Sequence, residues 1–181
     1  MSKMAKPCGT LAERFACTAS ISDDVPEQRV KDTLHFLKGV GISDPVPDHC
    51  ETKDFYSYLV RGILKPLNIQ RGRVTCLVSV KPAFINSFGG FHGGAIAAVA
   101  EAVSVATART VVAEDKELFL GELSISYLSS APKNAEVIVD GSVVRSGRNL
   151  TVIAQEFKLK KTGNLIYTAR ATFYHMPVSK L

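Results

Sequence analysis

Apolar and polar positions fall into two regimes along the chain, and the change comes near Phe55. Ahead of it, residues 1–25 keep no sustained period and read as an arm. "DDVPEQRVKDTLHFLKGVG" then predicts a helix: Asp24 caps it, Pro26 and Glu27 suit its first turn, and Val30, Leu34 and Leu37 recur at helical spacing before Gly39. Residues 41–54, with Pro45 and Pro47, read as a connector. Beyond Phe55, "FYSYLVRGIL" and "RVTCLVSVK" are strand-like, separated by the turn-rich "KPLNIQRG". A glycine stretch and a long apolar helix to about Ala113 come next. Four more strands follow, near 117–129, 135–146, 150–160 and 165–175, with "SAPKN", "SGRN" and "KTGN" as turns. Thr151, Ile153, Phe157 and Leu159 share one parity, as a half-buried antiparallel strand requires.

Strand, strand, helix, four strands is an α+β order with hairpin connections rather than alternating βαβ units. Ala95, Ala97, Ala98, Ala100, Ala102, Ala106 and Ala108 are spread around the helix and leave it no single wet face. Small residues on all sides predict a helix embraced by a strongly curved antiparallel sheet. The expected organisation is an arm with one helix and a connector over 1–54, one folded domain over 55–176 and a tail over 177–181.

Composition narrows the function classes. The chain has 181 residues, 46% hydrophobic and 22% charged, which fits one soluble globular domain with an ample core. A formal charge of +5 either favours an anionic small ligand or only aids solubility. Nucleic-acid binding is not expected, because no RNA-binding aromatic signature, zinc spacing or dense basic helix occurs. Cys8, Cys17, Cys50 and Cys76 form no C-x-x-C pair, so neither a zinc site nor a redox dithiol is expected; reduced thiols point inside the cell. No secretory segment is visible at the start, and the longest apolar stretch is interrupted by Glu101 and Arg109, so no membrane span is expected. The final Ser179-Lys180-Leu181 reads as the peroxisomal address, which implies the import receptor as a partner and the peroxisomal matrix as the location. Peroxisomal chemistry runs largely on acyl groups carried as coenzyme A thioesters.

Candidate chemistry sits in "NSFGGFHGGAIAAVAEAV", Asn86 to Val103. If the helix begins near His92 to Gly94, its first N–H groups lack partners and its dipole end is positive. Gly89, Gly90, Gly93 and Gly94 either permit tight turning and helix–sheet packing or remove the Cβ atoms that would hold a ligand away. In the second case the entrance can donate to a carbonyl oxygen gaining charge in acyl transfer, with the Asn86 amide assisting. His92 caps the helix or moves a proton. No G-x-S-x-G elbow and no neighbouring histidine occur, so neither a serine triad nor a histidine metal site is expected. Glu101, among Ala97, Ala98, Val105 and Ala108, is the candidate general base or nucleophile. It lies eight residues past Gly93, about 12 Å along a helix. One chain cannot put both at one carbonyl; two antiparallel copies of the helix across a two-fold axis can.

N-x-x-G-x-x-H-G-G followed by an apolar helix with an acid resembles the hotdog-fold thioesterases, most closely the acyl-CoA thioesterase 13/PaaI-like group. "SISYLSSAP", "VRSGRNL" and "TGNLIYTARAT" follow in the same order, and the resemblance covers about Tyr56 to Tyr174. It implies a hotdog fold that dimerises, with dimers pairing into tetramers in many members, and hydrolysis of an acyl-CoA to free acid and coenzyme A without a cofactor. By position, the Gly93 N–H and Asn86 would polarise the carbonyl, His92 would shape the loop, and Glu101 of the partner subunit would activate water or attack directly. Coenzyme A would meet Tyr127, Leu128 and Ser129 and the turn Arg145, Ser146, Gly147, Arg148 and Asn149. Arg148 would either reach a phosphate or remain a solvated hairpin arginine. Two positions depart from close relatives: Glu101 stands where Asp is frequent, and Leu120 stands where a serine can orient the water. The latter keeps open a catalytically weakened acyl-CoA-binding or regulatory protein. A hydratase would want an Asp-His pair that the chain lacks.

Overall fold

The computed structural model of the protein describes residues 24–39, 48–51 and 53–177. Cys8, Cys17 and Ser179-Lys180-Leu181 lie outside the described residues. The chain forms two compact units, Met1–Thr52 and Lys53–Leu181. In the first, helix α1 (Glu27–Gly39) carries an ion pair one turn apart, Glu27 with Lys31 at 2.6 Å, and a short 3-10 turn spans Asp48–Cys50.

The second unit corrects the expected pattern at its start. "FYSYLVR" is helix α2 (Phe55–Arg61), not a strand, and "KPLNIQ" falls in strand β1 (Leu64–Gln70), not a turn. Local contacts decide the helix: the Asp54 carbonyl accepts from Tyr58 N–H at 3.0 Å, the Asp54 carboxylate holds Arg61 at 2.9 Å, and Gly62 ends the run. Only Val60 of this helix is buried, and Tyr56 and Tyr58 are exposed rather than alternating across a sheet. β1 tolerates Pro66 because it is an edge strand with a register shift between Pro66 and Asn68.

Strands β1, β2 (Arg73–Ser79), β3 (Lys116–Tyr127), β4 (Glu136–Ser146), β5 (Leu150–Leu159) and β6 (Leu165–Pro177) form one antiparallel sheet in the order β1-β2-β4-β5-β6-β3. Helix α3 (Gly93–Arg109) packs on its inner face and touches every strand from β2 to β6. The alanine pattern foretold this wrapping. The helix ends four residues before the expected Ala113, and it does keep an outer side in the single chain, with Glu101, Ala106 and Arg109 exposed.

Burial repeats in pairs four apart along α3: Ala95 and Ile96, Val99 and Ala100, Val103 and Ser104, Thr107 and Ala108. Below them lie the inward residues of the sheet, including Val78, Val137, Val139, Ile153, Phe157 and Phe173. Gln155 pins helix to sheet, its Nε2 donating to Ala100 O at 2.7 Å and to Ser104 Oγ at 2.6 Å. Close approach also depends on Gly141, where a Cβ would stand 2.6 Å from Thr107 Oγ1 and 3.2 Å from Val103 Cγ1. Gly141→Ala is therefore expected to destabilise the domain by about 1–3 kcal/mol through overpacking, read as a lower urea midpoint at unchanged m-value. Cys76 is buried on β2, and burial pushes its thiol pKa up, leaving it an inert small side chain.

Candidate active site

The glycine stretch divides into two pairs with different duties. Asn86 closes the loop on itself: its N–H donates to Gly90 O at 2.8 Å, its carbonyl accepts from Gly89 N–H at 3.0 Å, and its Oδ1 accepts from the N–H groups of Phe88 and Gly90 at 3.0 Å each. Gly89 sits at φ +81°, a conformation side chains resist, and a Cβ on Gly90 would collide with Ser130 Oγ. The first is demanded by the backbone conformation and the second by the chain's own packing. At Gly93 a Cβ would meet only Tyr127, at ordinary contact of 3.6 Å; at Gly94 it would meet only the ring of His92, at 3.3 Å. Backbone geometry does not require the second pair, so its bareness is free to serve a ligand.

His92 is the N-cap of α3. Its ring Nδ1 accepts from Gly94 N–H at 3.0 Å, its carbonyl accepts from Ile96 N–H at 3.0 Å, and its own N–H is tied to Phe84 O at 2.8 Å. An imidazole that accepts at Nδ1 carries its proton at Nε2 when neutral. The cap leaves the Gly93 N–H without an acceptor among the described residues. Asn86 Nδ2 is likewise unpartnered there, because Oδ1 alone serves the loop. Two donors thus remain on one loop-and-helix mouth, at the positive end of the α3 dipole. Asn86→Asp preserves the loop-closing acceptor and removes the donor. It is expected to keep the wild-type Tm within a few degrees while kcat on a thioester falls by about 10²-fold, measured by thiol release.

Two phenols frame this mouth. Tyr127, at the end of β3, donates to Gly93 O at 3.3 Å, and its ring stands edge-on to Tyr167 with centroids 5.8 Å apart. Tyr167 is buried, which raises its pKa, and its oxygen accepts from Ala131 N–H at 3.0 Å. Tyr56 of α2 donates to Gly94 O at 3.1 Å. Sequence reasoning missed Tyr56, since nothing local marks a contact 38 residues away.

Glu101 is exposed on the outer side of α3, beside a cavity of about 380 Å³ walled by Tyr56, Ser57, Val60, Arg61, Ala98 and Val105. Arg109 does not neutralise it, because that guanidinium donates to the carbonyls of Ala113 and Lys116. Arg61 is engaged by Asp54. Among the described residues the Glu101 carboxylate has no partner. It stays two turns from the Gly93 N–H of its own chain. Leu120 is half-buried and packs against Ala108, Ile153, Ala171 and Phe173; it is a core side chain.

The residues expected to hold coenzyme A are also split. Tyr127 pairs with Tyr167 at one end of β6, whereas the exposed turn 145–149 adjoins His175 near the other. Those positions on β6 are eight residues apart, about 26 Å along a strand. Leu128 and Ser129 are exposed, with both N–H groups on Ile166 O at 2.9 and 3.1 Å. Arg145 and Arg148 have no acidic partner among the described residues. No cluster of metal-binding side chains occurs among the described residues, and no helix there is long and apolar enough to cross a membrane.

A long helix wrapped by a six-stranded antiparallel sheet is the hotdog architecture. The thioesterase superfamily pattern matches residues 88–166, the stretch from the glycine mouth to β6. Through that segment the chain is similar to the thioesterase superfamily. A Caenorhabditis elegans protein carried under the name putative esterase is 26% identical over 112 residues, which span 62% of this chain and 66% of that protein. Zebrafish thioesterase superfamily member 2 superposes with a TM-score of 0.60 at 20% identity, covering 79% of this chain and 96% of its own. A hypothetical thioesterase from Streptococcus pneumoniae, solved with coenzyme A, gives 0.57 at 19% identity, covering 63% and 89%. These similarities support an esterase- or thioesterase-type hydrolase.

Proposed function

We propose that this chain is an acyl-CoA thioesterase of the PaaI-like kind, working as a dimer with two sites shared between subunits. The observation that carries the proposal is the Gly93 N–H, left without an acceptor among the described residues at the capped mouth of α3, where Gly93 itself brings no side chain. A thioester carbonyl seated there would receive hydrogen bonds from Gly93 N–H and Asn86 Nδ2. Glu101 of the partner subunit would take a proton from water as the water oxygen bonds the carbonyl carbon. Collapse of the tetrahedral oxyanion breaks the C–S bond, and the proton leaves on sulfur, giving free acid and the thiol of coenzyme A. In the direct route the carboxylate bonds the carbon and expels the thiolate, and water then cleaves the mixed anhydride.

A single two-fold axis would serve both halves of the reading. β3 is an edge strand, and Tyr127 at its C-terminal end touches Gly93, while Lys116 at its other end takes Arg109 from the end of α3. Pairing this strand antiparallel with its copy would bring the partner's α3 across the mouth in the opposite sense. The same operation would carry the partner's Arg145–Asn149 turn toward Tyr127. Two separations that one chain cannot close would thus close together.

The test is release of coenzyme A from short-chain, long-chain and aromatic acyl-CoAs. Hydrolysis of at least one class, abolished by Glu101→Gln, is expected. Tight binding of all three with no turnover would replace the enzyme by a binding protein.

A further inference from the structure

His175 of β6 makes three contacts with the β4–β5 hairpin, and nothing in the reaction so far uses them. Its backbone N–H donates to Asn149 O at 2.9 Å. Its ring Nδ1 lies 3.2 Å from Arg148 O, and its Nε2 lies 2.9 Å from Thr151 Oγ1. Thr151 is fully buried, and its hydroxyl lies 3.0 Å from Ser146 Oγ. A carbonyl can only accept, so Nδ1 carries the proton. Neutral Nε2 then accepts from the Thr151 hydroxyl, whose oxygen accepts from Ser146. The chain Ser146–Thr151–His175–Arg148 therefore ties both legs of the turn and its tip to a neighbouring strand.

What this brace holds is a cationic hairpin tip. Residues 145–149 are all exposed; Arg145 and Ser146 end β4 in register with Val152 and Thr151, and across the tip the Gly147 N–H donates to Leu150 O at 2.9 Å. Arg145 and Arg148 have no acidic partner among the described residues. A phosphate contact gains most when the donors are fixed before the ligand arrives, because ordering a free hairpin on binding subtracts from affinity.

We propose that His175 is a positioning residue for the phosphate-bearing end of a nucleotide thioester. By holding the Arg148 carbonyl, it presents the Arg145–Asn149 turn to the coenzyme A diphosphate or ribose phosphate, and it leaves the pantetheine arm untouched. This rests on the acyl-CoA reading above and adds to it a residue far in sequence from the turn.

Calorimetric titration with coenzyme A and with pantetheine separates the two readings, since it needs no turnover. With His175→Ala the Kd for coenzyme A is expected to rise about 5- to 20-fold, as loss of a hydrogen-bonded brace predicts, while pantetheine binding stays the same. His175→Asn keeps an amide donor close to the place of Nδ1 and is expected to recover affinity to within about 2-fold of wild type. His175→Gln, whose donor reaches toward Thr151 instead, is expected to recover less. A general loss of folding would weaken both ligands and would not be repaired by Asn alone; Tm values for all four proteins check this. Unchanged coenzyme A affinity in a folded His175→Ala protein, equal losses for both ligands, or a wild type that prefers pantetheine would each overturn the proposal. Failure of thioester hydrolysis with these binding differences intact would overturn the enzymatic reading alone.

Discussion

Glu101→Gln is expected to lower kcat on the best acyl-CoA by about 10²- to 10⁴-fold, the range spanned by removal of a catalytic base. KM is expected to change little, because in the proposed site the carboxylate would meet water or the carbonyl carbon rather than the coenzyme. The fold should be untouched. Glu101 is exposed on the outer side of α3, and its side chain holds no ion pair or hydrogen bond among the described residues that glutamine would break. Gln also suits a helix interior about as well as Glu. A stability change is thus no explanation for lost rate, and stopped-flow thiol release beside thermal melting checks both statements. Equal rates for Glu101→Gln and wild type would remove this carboxylate from the reaction.

Gly93→Pro is the sharper instrument for the other half of the site. Gly93 is the first residue of α3, where proline is well tolerated because its missing N–H was unpaired in any case. The residue before it, His92, already has the extended backbone that precedes proline, at φ −65° and ψ 129°. A substituent on Gly93 meets Tyr127 only at ordinary contact distance. The substitution therefore deletes one N–H and leaves the helix standing. If that N–H holds the developing oxyanion, kcat falls by about 10²- to 10³-fold. Gly93→Ala retains the donor and adds bulk, so its smaller loss measures crowding. Circular dichroism should show wild-type helix content in both.

The mouth of α3 was legible in the sequence because its determinants are local. His92 caps Gly94 two residues on, Asn86 closes a loop on Gly90 four residues on, and the alanines of the helix announce close approach on many sides. Wrong readings came where flanking contacts or sheet position outweigh composition. The aromatic and β-branched run 55–61 looks like a strand, yet Asp54, Arg61 and Gly62 make it a helix. Pro66 and Asn68 look like a turn, yet an edge strand tolerates both. Long-range partners left no signal at all. Tyr56 and His175 act on backbone carbonyls 38 and 27 residues away, which no spacing rule can find. The separation of Tyr127 from the Arg145–Asn149 turn required the strand order before it could be seen.

That separation, with the gap between Gly93 and Glu101, makes the shared site the claim on which the mechanism stands. Co-expressing Gly93→Pro chains with Glu101→Gln chains tests it most directly, since each is expected to be nearly dead alone. Random pairing makes half of the dimers hybrids, and each hybrid would unite one unaltered Gly93 mouth with one unaltered Glu101, restoring about a quarter of wild-type activity. Hybrids purified by two different affinity tags that remain as inactive as either parent would contradict a site built from two chains.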